Sequence, residues 1–125
     1  PVDYAIFQNE GYKGLYGGLI QQDIHHRKQL QEGQKILDHM GSTELAANLF
    51  RATQTEEKLR KDQIRGKEKA NKTHYDVAKK VRQTMADLGT TMPEDLPSEE
   101  SIKVLQSRKK KELRSKGGSQ ATKKK

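Results

Sequence analysis

Apolar residues recur at helical spacing through the middle of the chain, and two patterns of similar length flank Gly66. In the first, Leu45, Leu49, Ala52, Glu56 and Leu59 follow at steps of four, three, four and three. Ala46, Phe50 and Thr53 widen that stripe, and Arg51, Glu57, Lys58 and Lys61 fall on the other side. Such spacing predicts an amphipathic helix. Ser42 or Thr43 can cap its start, Glu44 suits the positive end of the helix dipole, and Gly66 is the expected C-cap. The second pattern carries Ala70, His74, Val77, Val81, Met85 and Leu88, and Gly89 closes it. Short connections in helical proteins join antiparallel neighbours. The sequence therefore predicts an αα-hairpin of residues 43–65 against 67–88. Leu45, Leu49, Leu59, Val77, Val81 and Met85 would meet along its seam, with Glu56 at a wet edge.

The flanks are less regular. Ala5, Ile6 and Phe7 suggest a short helix ending near Asn9. Gly11, Gly14, Gly17 and Gly18 then interleave with Tyr12, Leu15 and Tyr16, a density that predicts a structured loop. Its tyrosines either plug the core of the hairpin or, with Lys13, stack on unpaired bases. The glycine spacing lacks the Lys-Ser/Thr end of a P-loop and a strand before it. Residues 19–31 predict a helix with Ile20 and Ile24 on one face. Ile36, Leu37 and Met40 are expected to pack under the hairpin. Pro93 and Pro97 mark a loop. Ser98, Glu99 and Glu100 have the chemistry to open a further helix from about residue 99, with Ile102, Leu105 and Leu113 as a weak apolar face.

Composition narrows this to one small all-α domain over 1–107 with a basic tail over 108–125. Of 125 residues, 30% are hydrophobic and 34% charged, so the core is thin. The absence of cysteine removes disulfides and thiolate metal sites. No apolar run has the length of a membrane span, and a cytoplasmic protein is expected. The tail holds nine lysines and arginines against Glu112 alone, so the net charge of +8 belongs to it. Two readings of the tail stand: an arm that grips nucleic acid or an acidic protein surface, or a solubilising disordered terminus. Candidate contact residues are Tyr12, Lys13, Tyr16, Arg108, Lys109, Lys110, Lys111, Arg114 and Lys116.

No catalytic or cofactor-binding constellation emerges, and no enzyme activity is expected. His25 and His26 are adjacent and point about 100° apart on a helix, so they cannot chelate one ion together. His39 and His74 stand alone, and all four histidines read as exposed or half-packed. Asp62, Asp76 and Asp87 read as solvated helix surface.

The segments AIFQNEGYKGLYGGL, KILDHMGSTELAANLFRATQTEEKLRKD, NKTHYDVAKKVRQT and TMPEDLP resemble the DNA-damage-inducible protein D family of bacteria. The resemblance covers about residues 3–105 and is to the C-terminal half of those proteins. The half that resembles phage antirepressor DNA-binding domains is not in this chain, which reads as a fragment or a truncated gene product. The resemblance implies a non-enzymatic role in the SOS response to DNA damage and an inhibitory contact with the RecA recombinase filament, with no cofactor. The alternative is an oligomerisation or effector-sensing domain of an antirepressor-like regulator whose DNA contacts reside in the missing half, a reading that admits a homo-oligomer.

Overall fold

The computed structural model describes residues 3–100. Four α-helices make up the fold: α1 (Tyr4–Leu15), α2 (Gln21–Arg27), α3 (Ser42–Lys61) and α4 (Lys67–Leu88). Single 3-10 turns at Ile36–His39 and Pro93–Asp95 precede α3 and follow α4. The all-α class expected from the sequence is the class observed.

The glycine-rich N-terminal segment is helical, not a loop. Asp3 caps α1 by accepting from the backbone N–H groups of Ala5 and Ile6 at 3.0 and 3.2 Å. The helix then runs through Gly11 and Gly14 to Leu15. Those two glycines serve a close approach. A Cβ on Gly11 would lie 2.3 Å from His74 Nε2, and one on Gly14 would lie 2.4 Å from the Tyr75 carbonyl oxygen. The penalty of glycine in a helix is roughly 1 kcal/mol, and here it is offset by backbone-level packing against α4. Gly17, at φ +66°, supplies the left-handed residue that stops α1.

α4 is therefore the hub, and it meets α1 over a longer stretch than it meets α3. Phe7 packs on His74, Gly14 on Ala78, and the Leu15 carbonyl accepts from Arg82, so α1 and α4 run parallel. α3 runs opposite to α1: Tyr12 stacks under Arg51 while Tyr16 reaches back to Glu44. The apolar core collects Tyr12, Leu15, Tyr16, Ile24, Ile36, Met40 and Ala78. Leu37, expected under the hairpin with Ile36 and Met40, is exposed instead.

Helix ends differ from the sequence reading. α2 stops at Arg27, short of the expected residue 31, and α3 begins at Ser42 after an N-cap at Gly41. α3 stops at Lys61, five residues before Gly66. In both stops a glutamine takes the left-handed position, Gln29 at φ 58° and Gln63 at φ 51°. The following N–H closes the turn on a carbonyl five residues back: Leu30 on His25, and Ile64 on Leu59. This is the Schellman arrangement, more often made by glycine. Gly66, at φ +91°, is the N-cap of α4, and Gly89 is its left-handed C-cap as expected.

After α4 the chain returns to the start of α3. Arg82 holds Glu94 through two bonds of 2.7 and 2.9 Å. Ser98 forms an antiparallel bridge with Met40. No helix begins at Ser98 or Glu99, and the remainder of the helix expected from residue 99, like the basic tail, lies outside the described residues. Among the described residues no helix is long and apolar enough to cross a membrane.

Candidate partner-binding groove and the polar seam behind it

The side chains that α3 buries are Glu44, Asn48, Arg51 and Thr55. Their steps of four, three and four match the rhythm of the expected stripe through Leu45, Leu49, Ala52 and Glu56. The register is one residue out, which turns the helix by about 100°. Leu49 and Phe50 consequently face outward, 55% and 54% exposed. The seam expected to unite Leu45, Leu49 and Leu59 with Val77, Val81 and Met85 is not the buried one. Of those six only Met85 is buried, at the margin, while Leu45, Leu59, Val77 and Val81 are half-buried.

The register follows from what α1 and α4 offer. Their inward surface carries the Tyr16 hydroxyl and the His74 imidazole as well as apolar atoms, and buried polar atoms need partners. Glu44, 1% exposed, accepts a short bond from the Tyr16 hydroxyl and a 2.7 Å bond from Lys28 Nζ. Asn48 Nδ2 donates to the Tyr16 oxygen at 2.9 Å, and Asn48 Oδ1 accepts from Arg51 Nε and Nη2 at 3.2 and 3.0 Å. Arg51 Nη1 donates to His74 Nε2 at 2.9 Å, and its guanidinium carbon lies 4.6 Å from the Tyr12 ring centre. His74 Nδ1 donates to the Phe7 carbonyl at 2.8 Å. That pair of bonds fixes the neutral ring with its proton on Nδ1. An apolar face of α3 turned inward would leave the Tyr16 phenol and His74 Nε2 without partners.

The electrostatics follow from the same geometry. Burial, then the Arg51 charge, pushes His74 down to about 4. Burial, then the bond to Glu44, holds the Tyr16 phenol far above its usual range. Burial lowers Arg51 and raises Tyr12. All of these groups are satisfied within the fold. The seam is thus a positioning device for helices, with no group left aimed at a substrate. Among the described residues, no three His, Cys, Asp or Glu side chains gather to hold a metal ion.

Burying the polar stripe leaves apolar surface outside. Ala46 and Phe50 on α3 and Val77, Val81, Met85 and Leu88 on α4 line a groove of about 910 Å³. Leu88 is 72% exposed. A contiguous apolar surface of this kind marks a place where something docks.

The expected contact residues divide. Tyr12 and Tyr16 lie in the core, edge to face at 6.1 Å, so neither ring is presented to a base in the folded domain. Burial of both phenol rings next to Arg51 and Glu44 corrects the stacking reading and agrees with the core-plugging one. Lys13 stays at the surface, paired with Glu10 at 3.0 Å. Arg108, Lys109, Lys110, Lys111, Arg114 and Lys116 lie outside the described residues. His39 and His74 are buried, contrary to the expectation of exposed or half-packed rings. The sequence held one signal for the missed network: the Glu44-Asn48-Arg51-Thr55 series keeps a perfect helical rhythm beside the apolar one.

The DinD C-terminal domain model matches residues 1–105. The chain belongs to that family. Over 105 residues it is 68% identical to the DNA damage-inducible protein D of Escherichia coli strain K12, a match that covers 83% of this chain and 38% of that relative. The chain thus corresponds to well under half the length of that relative. No solved structure matches it. The match ends at residue 105, so the DinD C-terminal domain contains the whole described fold, and the basic residues from Arg108 onward lie beyond it.

Proposed function

We propose that this chain is a non-enzymatic binding module of the DNA-damage response that modulates RecA recombinase filaments on DNA. The observation that carries the reading is the 68% identity, across the whole described fold, to a protein named for its induction by DNA damage. Two features support a binding role. The α3–α4 groove offers apolar area for a protein surface. The tail concentrates nine cations within 108–125, which favours a polyanion through counterion release. Lys13 and the run Arg108–Lys116 are the contact residues of this reading, and no cofactor takes part.

The test is retention on RecA filaments assembled on single-stranded DNA, with the full chain beside a chain ending at residue 107. Retention of the full chain that weakens on removal of the tail and falls steeply with salt is expected. Equal failure of both chains to be retained at low salt would sink the reading. Equal, salt-insensitive retention would move the contact from the tail to the folded domain.

A further inference from the structure

The spacing of the residues that line the α3–α4 groove specifies the shape of what fits it. On α3 the lining includes Thr43, Ala47, Phe50, Gln54, Glu57 and Lys61, at steps of four, three, four, three and four. On α4 it includes Val77, Val81, Thr84 and Leu88, at steps of four, three and four. Alternating steps of four and three form the seam by which one helix packs along another. α3 and α4 run antiparallel, and at 20 and 22 residues they are the two long helices among the described residues. The groove therefore fits a second antiparallel helix pair of similar length, and a second copy of this chain presents one.

Charge and area both favour a copy. The charged residues of the groove balance, Glu57, Asp62 and Asp76 against Lys58, Lys61 and Lys80. Two such faces therefore meet without net repulsion. The groove is also graded along its length. On α3, Ala46, Ala47 and Phe50 come first, and the charged residues lie toward the C-terminal end. A two-fold axis along the groove sets apolar residues on apolar ones and brings residues of opposite sign to one level. An axis across its middle would set apolar residues on charges, which is costly. From Thr43 to Asp62 the face is ~29 Å long and two helices, or ~20 Å, wide. The footprint is then ~600 Å² per copy and ~1,200 Å² in total, at the lower edge of specific interfaces. That size suits a reversible dimer.

We propose that the chain forms a two-fold symmetric dimer through the α3–α4 groove, a four-helix bundle in which α3 of one protomer lies antiparallel along α4 of its partner. Phe50 of each protomer then packs at the level of Val77 and Val81 of the other, and Leu88, 72% exposed in the single chain, leaves water. The dimer stands apart from the filament reading, because its formation needs neither RecA nor DNA and its assay contains neither.

Sedimentation equilibrium of the full chain, from about 1 to 100 µM, is the test. The mass should rise from 14.2 kDa toward twice that value. Phe50→Asp with Leu88→Asp should raise the dissociation constant about a hundredfold or more. Both side chains are mostly exposed in the single chain, so the fold does not depend on them. Leu49→Asp, equally exposed but not part of the groove, should leave the constant unchanged. A chain that stays at 14.2 kDa throughout would overturn the proposal and give the groove to a different occupant. A dimer that survives the double substitution, or that yields equally to Leu49→Asp, uses another face and would overturn it too. The absence of native cysteine allows a second measurement on single-cysteine chains. Phe50→Cys mixed with Val77→Cys should form the mixed disulfide roughly tenfold faster under mild oxidation than Leu49→Cys mixed with Val77→Cys. Equal rates would refute the arrangement.

Discussion

The Arg51 guanidinium donates to Nε2 of His74 at 2.9 Å across the α3–α4 contact, and the ring passes the load on through Nδ1 to the Phe7 carbonyl. One neutral imidazole therefore ties three helices together, because α1, α3 and α4 each contribute one member. The arrangement works only with an unprotonated ring, since a second cation beside Arg51 would lose the bond and gain repulsion.

A pH dependence follows. His74 titrates near 6.5 when unfolded and is pushed down to about 4 in the fold. A histidine with a depressed folded value takes up its proton on unfolding. The stabilisation is thus complete above pH 6.5 and is lost progressively as the pH falls toward 4. Linkage puts the loss at roughly 2 kcal/mol by pH 5. Urea unfolding at pH 7.5 and 5.0 reads it directly. In His74→Gln, whose amide oxygen can still accept from Arg51, that portion of the pH dependence should vanish.

The two glycines of α1 separate by what each one touches. Gly14→Ala meets the Tyr75 carbonyl, which cannot move without α4, whereas Gly11→Ala meets the His74 ring. Each should cost about 1–3 kcal/mol or more, in the range of an overpacked core. In a His74→Ala background the Gly11→Ala cost should shrink, while the Gly14→Ala cost should stay. Double-mutant cycles from denaturant midpoints distinguish the two.

Lys28 and Glu44 form a buried pair, with side chains 7% and 1% exposed. Removing one member strands the other charge. Lys28→Met should destabilise the domain by about 3 kcal/mol. Adding Glu44→Gln should recover much of that loss, because the amide can still accept from the Tyr16 hydroxyl. A double variant no more stable than Lys28→Met alone would show that Lys28 acts through something other than charge.

Gln29 and Gln63 occupy left-handed backbone positions at the ends of α2 and α3. Glycine relieves the Cβ clash there but gains freedom in the unfolded chain. The net of these gives Gln63→Gly a stabilisation of about 0.5–1 kcal/mol. A shift of the thermal midpoint upward by a few degrees is the expected reading. Gln63→Val should move it the other way.

The sequence by itself determined the helical class, the extents of α3 and α4 to within a few residues, the left-handed stop at Gly89 and the solvated aspartates at 62, 76 and 87. Those features are local: spacing, capping and charge act within one or two turns. It did not determine which face of α3 turns inward. Two stripes with the same rhythm lie one residue apart, and propensity cannot choose between them. The tertiary structure decided for Glu44, Asn48, Arg51 and Thr55, because a phenol on α1 and an imidazole on α4 demand polar partners once water is excluded. It decided the N-terminus in the same way. Gly11 and Gly14 read locally as a loop, yet a helix without those two Cβ atoms is the one that can lie against His74 and Tyr75. Contacts between residues 23 to 32 positions apart carry the first choice and contacts about sixty apart the second, and no window of a few turns contains them.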